Sequence, residues 1–295
     1  MIRDYDLYLM IIPGIIWYII FYYIPMYGIT ISFQQFNIMD GFFGSKWVGL
    51  KHYIDFVKDP YFPRIIRNTL MLGLYRLLWG FWPSILLALL LNEIRSALFK
   101  RTVQSISYLP HFISTVVIVG IMFNLFKTKG IVNNILESMG FGIQDFINDP
   151  GWFRTLYTGS GVWQGVGWGT IIYLAAIAGL NVELYESAVV EGANRLHRAI
   201  YITLPGMLPT ITILFIFALK DIIAVGFDKV YLMTNGNPAL YETSDVIATY
   251  VYRRGIEFQQ FSFSAAVGVF NNVISLILLV ITNYFAKKYT ETSLW

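Results

Sequence analysis

Residues able to do chemistry are few in this chain, and the densest group of charges lies in one stretch. Glu186–Pro205 reads ESAVVEGANRLHRAIYITLP, carries both signs of charge, and sits between two long apolar runs. Within it Glu186, Ala188 and Gly192 are followed, after nine residues, by Ile202, Leu204 and Pro205. Bond-making chemistry has little to draw on elsewhere. There is no cysteine, which removes thiolate nucleophiles, thiolate metal sites and disulfides. The three histidines are scattered, and none belongs to a His-Glu-x-x-His pair. Gly159-Ser160-Gly161 offers a serine, but no histidine lies close enough along the chain to act as its base. No G-x-x-x-x-G-K-[ST] loop is present, so nucleotide cannot be held in the P-loop manner.

The elements that must position the charged stretch are apolar. Of 295 residues 56% are hydrophobic and 13% charged, against about 25% charged in a soluble domain. The net charge of +3 is too small to argue for nucleic acid. Six runs are long enough to cross a hydrocarbon core of about 30 Å as helix. They are 7–33, 66–91, 105–126, 156–180, 205–226 and 263–285. The expectation is an all-α, polytopic membrane protein with six transmembrane helices in one domain, 1–295. The first run is too long for a signal-peptide core and lacks a small-x-small cleavage site, so it reads as an uncleaved span.

Six spans put both termini on one side. Arg3, Arg95, Lys100, Arg101, Arg195, Arg198, Lys287 and Lys288 crowd the N-terminus, 92–104, 181–204 and the tail. The opposite loops, 34–65, 127–155 and 227–262, spread a similar number over about twice the length. The bias places the termini and 181–204 in the cytoplasm.

Within the spans a few polar positions invite a role. Pro13 and Pro25 predict kinks in the first. Arg76, in the second, either faces protein or water or snorkels to the interface. His111 reads as an interfacial residue at the start of the third span, and Asn124 lies near its end. Gly161, Gly165 and Gly169 recur every four residues, a spacing that predicts close helix packing on one face. Trp163, Gln164 and Trp168 lie on other faces, either lining a polar path or anchoring at the interface. Asp221 lies near the outer end of the fifth span, beside Lys220. Asn271 and Asn272 interrupt the sixth, suited either to interhelical hydrogen bonds or to sugar hydroxyls.

The charged stretch predicts a local shape. Asn181 can cap a short helix, with Glu183 in its first turn where a negative charge suits the dipole. Leu184 and Ala188 share a face, and Glu186 lies on another side. Gly192 can take the left-handed conformation that ends a helix. A second helix starts at Asn194, and Pro205 suits the first turn of span five. The outcome is helix, glycine turn, helix.

The pattern Glu-x-Ala-x3-Gly-x9-Ile-x-Leu-Pro resembles the cytoplasmic EAA loop of permease subunits in binding-protein-dependent ABC importers. Six fixed positions, each matched by chance about 5–10% of the time, recur at random with a probability on the order of 10⁻⁷ per start position. Ser187 stands where the family usually has a second alanine. Further stretches extend the resemblance over nearly the whole chain: Asn68-Thr69, Ala88 to Glu93, Phe99 to Val103, Tyr108-Leu109-Pro110, TYVYRRG and the closing LW. Together they are similar to the maltose-permease-like sugar importers, and within them to importers of complex oligosaccharides or polysaccharide fragments.

The resemblance implies a type I ABC importer permease fold in a bacterial cytoplasmic membrane. It also implies a non-catalytic chain with no cofactor of its own, ATP and Mg being held by a separate ATPase. Its implied partners are a second, different permease, two ATPase subunits, and a sugar-binding lipoprotein or periplasmic protein. Leu184, Glu186, Ser187, Ala188, Glu191, Gly192 and Arg195 would then form the coupling segment. Asn124, Trp163, Gln164, Trp168, Asp221, Asn271 and Asn272 become candidates for the sugar path. The rival is a secondary transporter driven by an ion gradient. It would want paired acids deep in broken helices, where this chain has Asp221 alone beside Lys220.

Overall fold

Charge-free runs in a hydrocarbon environment leave backbone amides no partner but one another, and helix satisfies them all. The computed structural model describes residues 5–290, 293 and 294; Arg3 and the terminal Trp295 lie outside the described residues. Six helical stretches are long and apolar enough to cross a membrane. Named in chain order, the helices used below are α1 (Leu7–Phe33), α2 (Phe62–Glu93), α3 (Ala97–Tyr108), α4 (Thr115–Phe126), α5 (Pro150–Ala178), α6 (Val182–Val190), α7 (Arg195–Lys220), α8 (Phe227–Thr234) and α9 (Phe261–Thr290).

Three expected spans change at their edges for identifiable reasons. The run 105–126 is not one helix. α3 ends at Tyr108, Leu109–Phe112 form a 3-10 turn around Pro110, and Ile113 and Ser114 are extended. Proline lacks the amide that would continue α3. The Ser114 hydroxyl then starts α4 by accepting from the Val117 amide. α5 begins six residues before the expected 156. Asp149 caps it, its carboxylate accepting from the Gly151 amide at 2.8 Å, and Pro150 takes the first position. α7 begins at Arg195, so the second helix of the charged stretch and the fifth span are one continuous helical run.

That continuity depends on wide turns. Ile19–Tyr23, Leu77–Phe81 and Ala199–Thr203 are π-helical, and each ends two residues before a proline: Pro25, Pro83 and Pro205. Each proline leaves the carbonyl four residues back (Phe21, Trp79, Tyr201) without its α-helical donor. The backbone widens by one residue around that carbonyl instead of breaking. At two of the three, an amide reaches back five residues, from Ile24 to Ile19 and from Leu204 to Ala199. Pro13 lies inside the α-helix Tyr5–Tyr18 and causes no such change.

The chain divides into two compact units, residues 1–63 with 250–273, and residues 64–249 with 274–295. In the first, α1 is followed by a two-residue antiparallel pairing of Gln34 with Trp47 and Gln35 with Lys46. The fully buried Phe56 gathers Phe62, Tyr250, Phe263 and Phe270 around it. Beside them Asp59 accepts from the Tyr250 hydroxyl at 2.6 Å. Burial and that bond push the Tyr250 phenol well above its usual range.

The second unit holds the α2, α5 and α7 bundle. Ile85 and Ala88 of α2, Tyr173 and Ile177 of α5, and Met207 and Ile211 of α7 form one apolar cluster. Asn68 of α2 is its polar anchor. It is fully buried, its amide nitrogen lies 3.0–3.3 Å from the carbonyls of Tyr241, Glu242 and Asp245, and its oxygen accepts from Arg154 of α5 at 2.9 Å. Replacing Asn68 with leucine strands these groups. At about 1–3 kcal/mol for each buried group left unpaired, the expected loss is about 3 kcal/mol or more. Thermal unfolding of the solubilised chain would measure it, and an unchanged midpoint would refute the anchoring role.

Candidate functional site

The charged stretch folds as a short helix, a tight turn and the start of α7. The Asn181 side chain accepts from the Glu183 amide at 2.9 Å and opens α6. At the far end the Ala193 amide bonds the Ala188 carbonyl at 2.8 Å, and the Gly192 amide bonds that of Val189 at 3.0 Å. This pair of bonds requires a left-handed residue, and Gly192 supplies it with φ +82°. Asn194 then caps α7, accepting from the His197 amide at 2.9 Å. Tyr185 and Thr203 share a hydrogen bond of 2.9 Å that fastens α6 to the wide turn of α7. No local sequence signal marks that pair, eighteen residues apart.

Leu184, Ser187, Ala188, Glu191 and Gly192 line one hollow of about 570 Å³ with His197 and Tyr201. Of the seven expected residues of this segment, Glu186 and Arg195 lie outside that lining. Glu186 is exposed, and Arg195 approaches Glu93 at 4.0 Å. Val190, at 89% exposure, is the most exposed large apolar side chain of α6.

A second concavity of about 440 Å³ runs between α2, α5 and α7. Arg76, Gly80 and Ser84 form one wall, Gly161, Gly165 and Gly169 the floor, and Phe217 and Asp221 the other wall. The glycine stripe therefore does not serve the helix packing that its spacing predicts. A Cβ at Gly165 would meet nothing within 4 Å, and one at Gly161 would meet only the Lys229 ammonium at 3.5 Å. Gly169 alone packs closely, against Ser84. The tight helix approaches fall at Gly73 and Gly167 instead, where a Cβ would collide with the backbone of Ile222 and of Ser107.

Arg76 faces protein. Its guanidinium donates to the carbonyls of Asp221 and Ala224, just past the end of α7, where a cation suits the helix dipole. Lys220 pairs with Asp221 at 3.1 Å. Lys229 of α8 lies 5.2 Å over the Tyr157 ring, and burial lowers its pKa from 10.5 to about 8.

Of the candidate path residues, Asp221 lines this groove. Gln164 donates to the Ile113 carbonyl at 3.1 Å, filling the bond freed by the break between α3 and α4. Trp168 stacks on His111 at 4.3 Å with Phe112 edge-on. Trp163 is exposed. Asn124 donates to Gly120 and accepts from Lys127. Asn271 and Asn272 belong to the other unit, where the Asn271 side-chain oxygen is buried without a hydrogen-bond partner. Sequence reasoning missed Ser84 as a groove residue, because its neighbours in space, Val166 and Gly169, lie far away along the chain.

Residues 80–291 match the family model described as the binding-protein-dependent transport system inner membrane component. The chain belongs to this family. The permease is 43% identical over 296 residues to the polygalacturonan/rhamnogalacturonan transport system permease protein YteP of Bacillus subtilis, covering 100% of this chain and 92% of that one. It is 41% identical over 294 residues to Protein LplB of the same organism, covering 99% and 92%. Its fold superposes with a TM-score of 0.91, at 40% identity, on a chain of the bacterial alginate ABC transporter solved with an alginate pentasaccharide-bound periplasmic protein, covering 99% and 97%. The permease thus has the all-α fold of type I importer permeases, and with six apolar crossings it is a multi-pass membrane protein. The family match includes the 181–204 stretch, all of α5 and α7, and α2 from Gly80 onward.

Proposed function

We propose that this permease is a transmembrane subunit of an ATP-driven importer that takes up an oligosaccharide or polysaccharide fragment. The cargo is handed over by an extracellular or periplasmic sugar-binding protein. The observation that carries the reading is full-length similarity, at 40% identity, to an importer solved with an oligosaccharide-loaded binding protein. Two permeases, this chain and a different one, pair in the bacterial cytoplasmic membrane as single transmembrane domains with cytoplasmic termini. Two ATPase subunits holding ATP and Mg sit below, and this chain catalyses nothing itself.

Leu184, Glu186, Ser187, Ala188, Glu191, Gly192 and Arg195 form the coupling segment that meets an ATPase. The capped, glycine-terminated α6, tied to α7 through Tyr185, is stiff enough to pass a push on to the bundle. Asp221 is the sugar-path candidate that lines the groove. Trp163, Gln164, Trp168, Asn124, Asn271 and Asn272 remain candidates through positions reached in other states of the transport cycle.

The test uses the complete importer in proteoliposomes, with tetragalacturonate as probe and its binding protein outside. Uptake should require ATP and persist when the membrane potential is collapsed. The chain has no native cysteine, so Glu186→Cys provides a single thiol, expected to crosslink to an ATPase subunit. Uptake driven by an ion gradient without ATP would refute the reading.

A further inference from the structure

A third hollow, of about 350 Å³, lies between α2, α7 and α9 within one compact unit. It shares no lining residue with the groove and uses another face of α7: Phe215 and Leu219 line it, whereas Phe217 and Asp221 line the groove. No charged side chain lines it. Its hydroxyls are those of Thr212 and Thr282, and the Thr282 hydroxyl is spent on the Leu278 carbonyl at 2.7 Å. Ile211 and Ile216 form a buried floor, while Trp82, Ile281 and Phe285 make an exposed rim. The hollow therefore opens outward at membrane depth, where hydrocarbon takes the place of water.

Its shape favours one kind of occupant. Along α7 it runs over residues 211–219, a rise of about 12 Å, which fits inside half of a core of about 30 Å. Its outer end is closed, because Leu219, Ile274 and Leu278 pack around Leu77, Ile222 and Ile223. A helix crossing the whole membrane needs a groove open at both ends, whereas an acyl chain entering from one leaflet does not. At the other end lies the basic last turn of α9, where Lys287 and Lys288 are exposed. Lys288 follows Ile281 by seven residues, about two helical turns, and so lies on the same side of α9 as the rim. Lysines at that depth attract anionic headgroups, and a phosphate held there sets its acyl chain at the mouth of the hollow.

We propose that this hollow holds an acyl chain of an anionic phospholipid whose phosphate is gripped by Lys287 and Lys288. The site goes beyond the import reading and takes from it only the cytoplasmic side of the end of α9, hence the inner leaflet. Because α7 begins in the coupling segment, a lipid wedged between α7 and α9 lies against the helix that an ATPase would push.

The test places the complete importer in phosphatidylcholine nanodiscs containing a small fraction of phosphatidylglycerol with a photoactivatable diazirine on its acyl chain. Labelled peptides are mapped by mass spectrometry. Adducts should concentrate on residues 211–219 and 281–286, and a phosphatidylcholine probe with the same chain should give far fewer. At about fivefold per lysine near an anionic headgroup, Lys287→Gln combined with Lys288→Gln should cut phosphatidylglycerol labelling roughly twentyfold. Ile281→Trp fills the hollow and should remove the adducts while both lysines remain. Equal labelling by the two probes overturns the proposal, and so does undiminished labelling in the double-lysine variant. A hollow free of adducts, as a covering helix of the partner permease would leave it, overturns it as well. Labelling needs neither sugar nor ATP. Labelling without ATP-driven uptake would therefore refute the import reading alone, and ATP-driven uptake without labelling would refute the lipid site alone.

Discussion

A permease carrying Gly192→Pro should reach the membrane at the wild-type level and take up no oligosaccharide. Gly192 sits at φ +82°, whereas proline is held near −65°. The substitution also deletes the amide that bonds the Val189 carbonyl and dismantles the paired bonds that end α6. α6 then either runs on or frays, and Asn194 no longer opens α7 at a fixed angle to it. The local cost is about 3 kcal/mol or more, but it falls on an exposed loop, so the bundle should still fold. Gly192→Asn is the informative companion, since asparagine tolerates the left-handed region, and most of the uptake should survive it. Membrane levels by immunoblot and uptake of labelled tetragalacturonate decide the matter. Wild-type uptake in the proline variant would remove the turn from any part in coupling.

Gly73→Val should abolish the folded permease altogether. A Cβ at residue 73 would stand 1.8 Å from the Ile222 carbonyl oxygen and 2.6 Å from its carbon. Both are backbone atoms, in the segment that Arg76 holds one helical turn further along α2. A side chain could swing aside, but a backbone pinned from two directions cannot. Overpacking typically costs about 1–3 kcal/mol where neighbours can adjust, and here they cannot, so the loss should exceed that range. Gly167→Val, with a Cβ 2.0 Å from the Ser107 carbonyl oxygen, should behave alike. Gly165→Ala, with nothing within 4 Å, should give a stable, monodisperse protein. Size-exclusion profiles in detergent would separate these outcomes, and a monodisperse Gly73→Val would contradict the packing described for α2.

The contrast between Gly73 and Gly165 shows where sequence reading stops. The six crossings are legible because a charge-free run has one good solution in hydrocarbon. The loop at 181–204 is legible because its caps and its glycine act within a few residues. The break at Pro110 is carried by one proline and one serine, which a hydropathy window averages away. Asp149-Pro150 looks like loop by composition, although it is a strong start for a helix. The glycine stripe is legible as a smooth face, but nothing in the stripe says whether a helix or a cavity lies across it. Gln164 and Lys229 take their meaning from Ile113 and Tyr157, partners set by tertiary contact that no local pattern encodes.

The three wide turns before prolines also set a phase. One extra residue in a turn rotates everything on one side of it by about 100° relative to a regular helix. In α7 the turn Ala199–Thr203 lies between the charged loop and the part of the helix that packs at Met207 and Ile211. The direction in which α6 is presented is therefore offset from the core-facing side of α7 by a fixed angle, written into the chain as Pro205. An α-helical register read straight through that position puts the loop on the wrong side of the helix. The proline closing the family's loop pattern thus works as an aiming device as well as the start of a span.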